Sequence, residues 1–295
     1  MTPTYSPSQT ALWSECPALR QIRKDGFLPT IIQHVELAAL LGTAIAAGAE
    51  EYHRWMIGHH AHANEEIPPA SVVAGAVARA GETVNAGYAT LAEQGRRVPD
   101  WDRPYADRVW ERATDATSAY IGLRPLLPDW RPVAAEHVLA SGARMDLGVE
   151  TSLGPMVLDL KTKLTLNDRI RAKVIDEYEV SPQLQHYAWE WEAELGRPVM
   201  HAGILLYTLE PRPTVEYVPV PVTPQGRATW LQSARVAWAD MVAEDSGERL
   251  ARQRRESCNN GFGRCPFFRF CHEFFEDETT AVNSGEYTKI PGAGA

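Results

Sequence analysis

Residues 133–222 constrain the fold of this chain more than any other stretch. Three short β-like runs, VAAEHVLA (133–140), ARMDLGVET (143–151) and PMVLDLKT (155–162), follow one another with Ser141-Gly142 and Leu153-Gly154 at the breaks. Such runs, bounded by turn residues, read as a three-stranded meander. A helical stretch over 182–195 comes next, then strand-like runs at 199–208 and 215–222. The order β-β-β-α-β-β is mixed α/β, unlike the strict alternation of a doubly wound sheet.

Asp146 and Asp159 each lie inside one of these runs, where carboxylates are scarce. Neighbouring antiparallel strands are about 5 Å apart. A turn near Gly154 can therefore bring the acids side by side, where like charges repel unless a proton or cation stands between them. Carboxylate oxygens suit a hard cation, Mg²⁺ or Mn²⁺. Lys161 follows Asp159 by two residues, and the period-two alternation of a strand puts both on one face. An ammonium there can orient a water beside the metal. Two acids and a lysine around a divalent ion make a hydrolytic site for a phosphodiester. Leu160, between them, faces the core and offers its carbonyl as a further metal ligand. A plainer reading stays open on spacing alone: Asp146 caps a turn, and Asp159 with Lys161 forms an edge ion pair worth about 0–1 kcal/mol.

Elsewhere the patterns are helical. Ser6-Pro7-Ser8-Gln9 reads as a helix start, with Ser6 capping, running through Leu12 and Trp13 to about Cys16-Pro17. Residues 31–57 form a long Ala- and Leu-rich helical pattern, followed by a polar break at 58–70. Helices are expected at 71–95 and 104–121, a Pro-rich connector at 124–132, and a last helix from Thr223-Pro224 to about 254. The stretch after Phe275 reads as loose. The expected division is a helical region 1–132, a core 133–255, a cysteine-rich segment 256–275 and a loose tail 276–295.

No run of about 18 apolar residues exists, so no membrane span is expected. The segment MTPTYSPSQTALWSEC lacks the basic and apolar parts of a signal peptide, and a cytoplasmic location is the expectation. The net charge of −9 argues against a general electrostatic coat on nucleic acid and leaves a local basic cleft open. Neither GxGxxG nor a Walker A pattern occurs, so no nucleotide cofactor is indicated.

The chain has four cysteines: Cys258, Cys265 and Cys271 lie together, and Cys16 lies at the other end. Four thiolates suit Zn²⁺ or an iron–sulfur cluster, and the spacing alone chooses neither these nor reduced buried thiols. Phe262, Phe267, Phe268 and Phe270 can shield such a site or stack on bases. Arg252, Arg254, Arg255, Arg264 and Arg269 form a candidate phosphate-contacting strip or a solvated helix end.

Taken together, the pieces resemble the RecB-like branch of the PD-(D/E)XK nucleases. YSPSQTALWSECP (5–17) is similar to that branch's opening helix, EHVLASGARMDLGV (136–149) to its glycine-to-aspartate strand and VLDLKTK (157–163) to its D-x-K-T strand. SPQLQHYAWEWEAELG (181–196) is similar to its Q-x-x-x-Y helix, and CNNGFGRCPFFRFC (258–271) to its terminal cysteine set. The resemblance implies a restriction-endonuclease-like core, a mixed sheet flanked by helices. Asp146 and Asp159 would be metal ligands, Lys161 the catalytic lysine, Glu136 an outer acid near the metal, and Gln183 and Tyr187 would steady the site or the DNA. It favours a [4Fe–4S] cluster on Cys16, Cys258, Cys265 and Cys271, with Zn²⁺ second, which would staple residues 256–275 to residues 5–20. The implied activity is a Mg²⁺- or Mn²⁺-dependent deoxyribonuclease, an exonuclease of phage recombination, repair or CRISPR adaptation, with DNA and an adaptation or recombination protein as partners. One departure stands out. The branch's metal-binding His of G-T-x-x-H falls on Ala46 in LGTAIAAGAEEYH (41–53), and a methyl cannot ligate. Glu50 and His53, one and nearly two turns later, are weaker substitutes, and His59, His60 and His62 read as a solvated loop. That departure keeps a second reading open, a DNA- or partner-binding protein that retains the fold without cleavage.

Overall fold

The structure, a computed structural model, describes residues 5, 7–32, 34–60, 67–127, 129–165, 171–173, 175–176, 182–248, 258–260, 263–271 and 277–290. Two compact units share the chain: residues 1–37, 87–106 and 233–295 in one, and residues 38–86 and 107–232 in the other. This differs from the sequential division expected above. Part of the helical region before residue 132 belongs with the sheet, because the sheet's apolar faces need helices from both sides of it in sequence. Ser6 and His62 lie outside the described residues.

The sheet unit carries five strands in chain order: β2 (Arg131–Val138), β3 (Arg144–Thr151), β4 (Gly154–Thr165), β5 (His201–Glu210) and β6 (Thr214–Pro221). All neighbours are antiparallel except β4 and β5, which run parallel. A parallel pair needs a crossover, and the helix Pro182–Leu195 (termed α7 below) supplies it. The fold is thus α/β with a mixed five-stranded sheet, in the order the sequence suggests. One core packs α7 on the sheet through Leu184, Tyr187, Ala188 and Trp191, against Val157, Ile204 and Leu206. Gly148 permits this contact: a Cβ there would come 2.7 Å from the Trp191 ring. Helices α3 (His34–Gly58), α4 (Ala70–Glu93) and α6 (Val109–Leu123) are helical as expected, although the stretch expected as one helix at 104–121 begins with a separate turn, α5 (Arg103–Ala106). Gly48 of α3 lies so near α6 that a Cβ would meet Thr117 at 2.4 Å.

The other unit gathers both ends of the chain. Helices α1 (Pro7–Glu15) and α2 (Pro17–Lys24) meet the end of α8 (Pro224–Asp245). Arg20 grips Asp245 with two nitrogens, at 2.8 and 2.9 Å, and Trp13 donates to Glu244 at 2.8 Å. Arg20, followed by Lys24 and the Tyr5 hydroxyl, holds the Asp245 carboxyl well below the usual carboxylate range against the opposing effect of burial. The expectation of a loose tail after residue 275 is corrected over 277–290. There α9 (Glu278–Asn283) and β9 (Tyr287–Lys289) are ordered, β9 pairs with β1 (Phe27–Pro29), and Ala281 and Tyr287 are buried. Three-residue strands carry too little periodicity to be read from sequence. Among the described residues no helix is long and apolar enough to cross a membrane.

Candidate functional site

The site begins where two strands part. The β3–β4 ladder runs from Thr151↔Gly154 to Leu147↔Leu158 and stops there. Beyond the fork the backbone N–H of Leu160 donates to Asp146 Oδ2 at 2.8 Å, a side chain replacing a strand as acceptor. Asp159 is only 1% exposed. Its Oδ1 accepts from Gln183 Nε2 at 2.9 Å, and the same amide donates to the Tyr187 hydroxyl at 2.8 Å. Gln183 and Tyr187 are four apart on α7, so one helical turn presents both to the acid. Lys161 Nζ lies 2.8 Å from Asp159 Oδ2. This contact is an ion pair, and Oδ2 is fully buried.

Asp146, Asp159, Lys161, Gln183 and Tyr187 therefore converge. Burial first, then the charge of Asp159, holds the Asp146 carboxyl well above its ordinary value, against the pull of Lys161 and the Leu160 N–H. Asp159 is also raised by burial, opposed by Lys161 and by a hydrogen bond with Asp146. Burial lifts the Tyr187 phenol to about 12, so its hydroxyl keeps its proton and serves as a neutral group.

A small cavity of about 10 Å³ opens beside Asp146, room for one water-sized particle. Leu160 and Glu136 line it together with Ala46, Glu50 and His53 of α3. Glu136 lies across from Asp146, between the register pairs Ala135↔Leu147 and His137↔Met145. Its φ of 47° is left-handed, a conformation costing a non-glycine residue about 1–2 kcal/mol and typical of strained functional positions. Its carboxyl is raised by burial and then by Glu50, and it faces Arg144 at 3.5 Å. His53 is buried, which lowers its imidazole to about 3 and keeps it neutral, and its Nε2 is 3.2 Å from the Tyr120 hydroxyl. His59 and His60 are exposed, with His59 Nδ1 2.8 Å from the Trp55 carbonyl.

The donor chemistry fits a hard divalent cation: oxygen ligands, a fully buried carboxylate, and two raised acids side by side. Among the described residues, however, no three His, Cys, Asp or Glu side chains stand as a group that could hold a metal ion. Asp146 and Asp159 are assembled; a third ligand is not.

The four cysteines lie in the other unit. A two-strand hairpin, β7 (Asn259–Asn260) with β8 (Gly263–Arg264), sets Cys258 and Cys265 across from each other, and Cys265 N donates to Cys258 O at 2.9 Å. Cys265 and Cys271 pack on an apolar cluster holding Cys16, Phe27, Phe267, Phe270 and Tyr287. All four thiols are free of disulfides. Burial, then Cys265, Cys16 and Cys258, raises the Cys271 thiol to about 12. Thiolates have the chemistry of a soft-metal or iron–sulfur site, but among the described residues no three of these cysteines stand as a group that could hold a metal ion. The Tyr287 hydroxyl ties down this loop, donating to Pro266 O at 3.1 Å and accepting from Phe270 N at 3.2 Å. Of the expected phosphate strip, Arg269 pairs with Glu286, while Arg252, Arg254, Arg255 and the Arg264 side chain lie outside the described residues, as does Phe262.

One network escaped the sequence reading. Ser141, in the β2–β3 turn, donates to Glu190 Oε2 at 2.7 Å and lies 2.9 Å from His186 Nε2, both on α7. These contacts tie the turn before Asp146 to the helix that carries Gln183 and Tyr187. The i, i+4 spacing of His186 and Glu190 was a visible signal; their partner in a distant turn was not. No family model matches the chain, and no curated protein matches it.

Proposed function

We propose that this chain is a metal-dependent deoxyribonuclease of the RecB-like PD-(D/E)XK kind, acting on DNA ends, with an inorganic cluster on its four cysteines. The observation that carries the reading is the convergence of Asp146, Asp159 and Lys161 at the β3–β4 fork, braced by Gln183 and Tyr187. Asp146 and Asp159 would hold Mg²⁺ or Mn²⁺, with Glu136 and the Leu160 carbonyl near it. The ion, when bound, would supply Lewis acidity and charge neutralisation at the phosphate. Gln183 fixes the rotamer of Asp159, and Asp159 in turn holds the Lys161 ammonium in place to orient a water and meet negative charge developing on the phosphate. Cys16, Cys258, Cys265 and Cys271 would hold a [4Fe–4S] cluster, or Zn²⁺, joining the two ends of the chain.

The test is digestion of end-labelled linear single- and double-stranded DNA with Mg²⁺ or Mn²⁺. Loss of label with wild type and its abolition by Asp159→Ala is expected; equal loss with both proteins would end the proposal. Visible absorption in anaerobically purified protein, absent from Cys271→Ser, tests the cluster. A non-cleaving DNA- or partner-binding protein is the second reading. Ala46 on the cavity wall favours it, since it leaves the acid pair without the third ligand. Tight metal-independent DNA binding without cutting would select it.

A further inference from the structure

A second cavity, of about 300 Å³, lies where the ends of β4 and β5 meet α6. Its volume is at the lower end of small-ligand sites. β4 and β5 are the parallel pair of the sheet, and open sheets take ligands off the carboxyl ends of parallel strands. Ala116 and Ala119 of α6 are small and leave the space; Leu164 and Leu209 give it an apolar wall. Tyr207 adds a ring to this wall, its hydroxyl donating to Ala116 O at 2.7 Å; the charged groups are Arg108, Arg112, Asp115 and Glu210, and Arg112 Nη2 donates to Glu210 Oε1 at 3.2 Å.

Charge narrows the ligand. Two arginines and two carboxylates cancel. A free phosphate calls for a surplus of cations, and a metal ion for a surplus of carboxylates. A balanced rim offering both donors and acceptors over an aliphatic wall suits a neutral flat heterocycle read along its edge. Carboxylates accept from exocyclic amines, and arginines donate to ring nitrogens and carbonyls.

We infer that this cavity takes one unpaired nucleobase of the strand being cut. The inference rests on the nuclease proposed above: β4 carries both Asp159 and, five residues on at the strand's end, Leu164 of the cavity wall, and because the odd spacing sets the two on opposite faces, the strand being cut passes round the carboxyl end of β4 to reach the cavity. Five strand residues span about 16 Å. That is about five stacked nucleotides at 3.4 Å each, and fewer in an unstacked strand. A base inside a duplex reaches such a cavity only after unstacking, which costs a few kcal/mol. The cavity therefore selects single-stranded or frayed ends.

The test measures fluorescence anisotropy of end-labelled strands in EDTA, where no cutting occurs. Ala119→Phe fills the cavity, and Asp115→Asn, at an exposed position, removes an acceptor without threatening the fold. Each variant is expected to weaken single-strand binding about tenfold, with duplex binding little changed. Abasic substitution scanned along the strand should reveal one position that reproduces the loss in wild type and has no further effect in Ala119→Phe. A flat abasic scan, or wild-type binding by both variants, overturns the inference. Absence of any DNA binding by wild type sinks the nuclease proposal instead. In that event free nucleosides decide the cavity: shifted methyl resonances of Ala116 and Ala119 at millimolar nucleoside keep the base assignment, and unshifted ones remove it.

Discussion

Asp146→Asn should stabilise the metal-free protein and the gain should grow with pH. Asparagine keeps the size of the side chain and can still accept the Leu160 N–H that Asp146 Oδ2 accepts at 2.8 Å. It removes a carboxyl whose proton affinity is raised by burial and by Asp159. An acid with a raised folded-state pKa binds more protons folded than unfolded, so its contribution to stability is present below the unfolded value and is lost as pH rises through the folded one. Each unit of such a shift corresponds to about 1.4 kcal/mol once pH exceeds both values. The window therefore opens near the ordinary aspartate range and extends upward from it. Melting curves in EDTA at pH 5 and pH 8 are the assay. The variant should gain at least about 1 kcal/mol at the higher pH, roughly 2–4 °C for a protein of this size, and much less at the lower. Mg²⁺ or Mn²⁺ should raise the melting point of wild type and leave that of Asp146→Asn nearly unmoved, because binding needs the deprotonated acid. A variant destabilised at both pH values, or a gap that does not widen with pH, would refute the claim that Asp146 is a strained acid awaiting a cation.

Three further outcomes follow from the geometry. Ala46→His places an imidazole on the cavity wall, and titration calorimetry should show Mn²⁺ or Zn²⁺ affinity rising at least about tenfold while Mg²⁺ affinity changes little, since imidazole favours the former ions. Tyr287→Phe deletes the hydroxyl that joins Pro266 O and Phe270 N; losing both bonds costs about 1–3 kcal/mol, and Cys265 and Cys271 should react with a disulfide reagent about tenfold faster in metal-free protein. Gly148→Ala drives a methyl toward the Trp191 ring and should cost about 1–3 kcal/mol in chemical denaturation, with no such cost at Gly142, which has open space around it, beyond that of its left-handed φ.

The sheet was legible because its signals are local. Alternation, a glycine at each turn and the two-residue step from Asp159 to Lys161 fixed the strands, their order and the shared face of acid and lysine. Gln183 and Tyr187 were legible for the same reason, one turn apart on one helix. The cavity wall was reached only through the resemblance, which singled out Ala46, Glu50 and His53; the burial pattern of their helix alone says nothing about which strand end it covers. The fork was equally hidden, since the ladder ends at Leu147↔Leu158 for a reason found in Asp146's own side chain. The hairpin that sets Cys258 across from Cys265 joins strands of two residues each, too short to carry an alternating pattern. The ordered stretch 277–290 depends on β1, some 260 residues earlier, and on the aromatic cluster around Cys16.

The charges around the fork explain why Asp146 is the residue to perturb. Four acids surround or adjoin the small cavity, and three of them have a basic partner: Glu50 with Arg54 at 2.5 Å, Glu136 with Arg144 at 3.5 Å and Asp159 with Lys161 at 2.8 Å. Among the described residues Asp146 has no salt bridge of its own; its compensation is the Leu160 N–H and the more distant charge of Lys161, which is paired with Asp159. A like-charged cluster one cation short is unstable unless protons fill the gap, and the raised Asp146 carboxyl is that proton. His53 does not relieve it, being neutral and turned to Tyr120. In the proposed nuclease the missing charge is the divalent ion, and apart from His53, whose ring is turned to Tyr120, the polar side chains of the cavity wall offer oxygen. Such a surround should favour Mg²⁺ over softer ions. Competition between Mg²⁺ and Zn²⁺ decides the point: binding of Zn²⁺ at the fork with preference over Mg²⁺, in a Cys271→Ser protein freed of the thiol site, would show that a nitrogen ligand has been recruited after all.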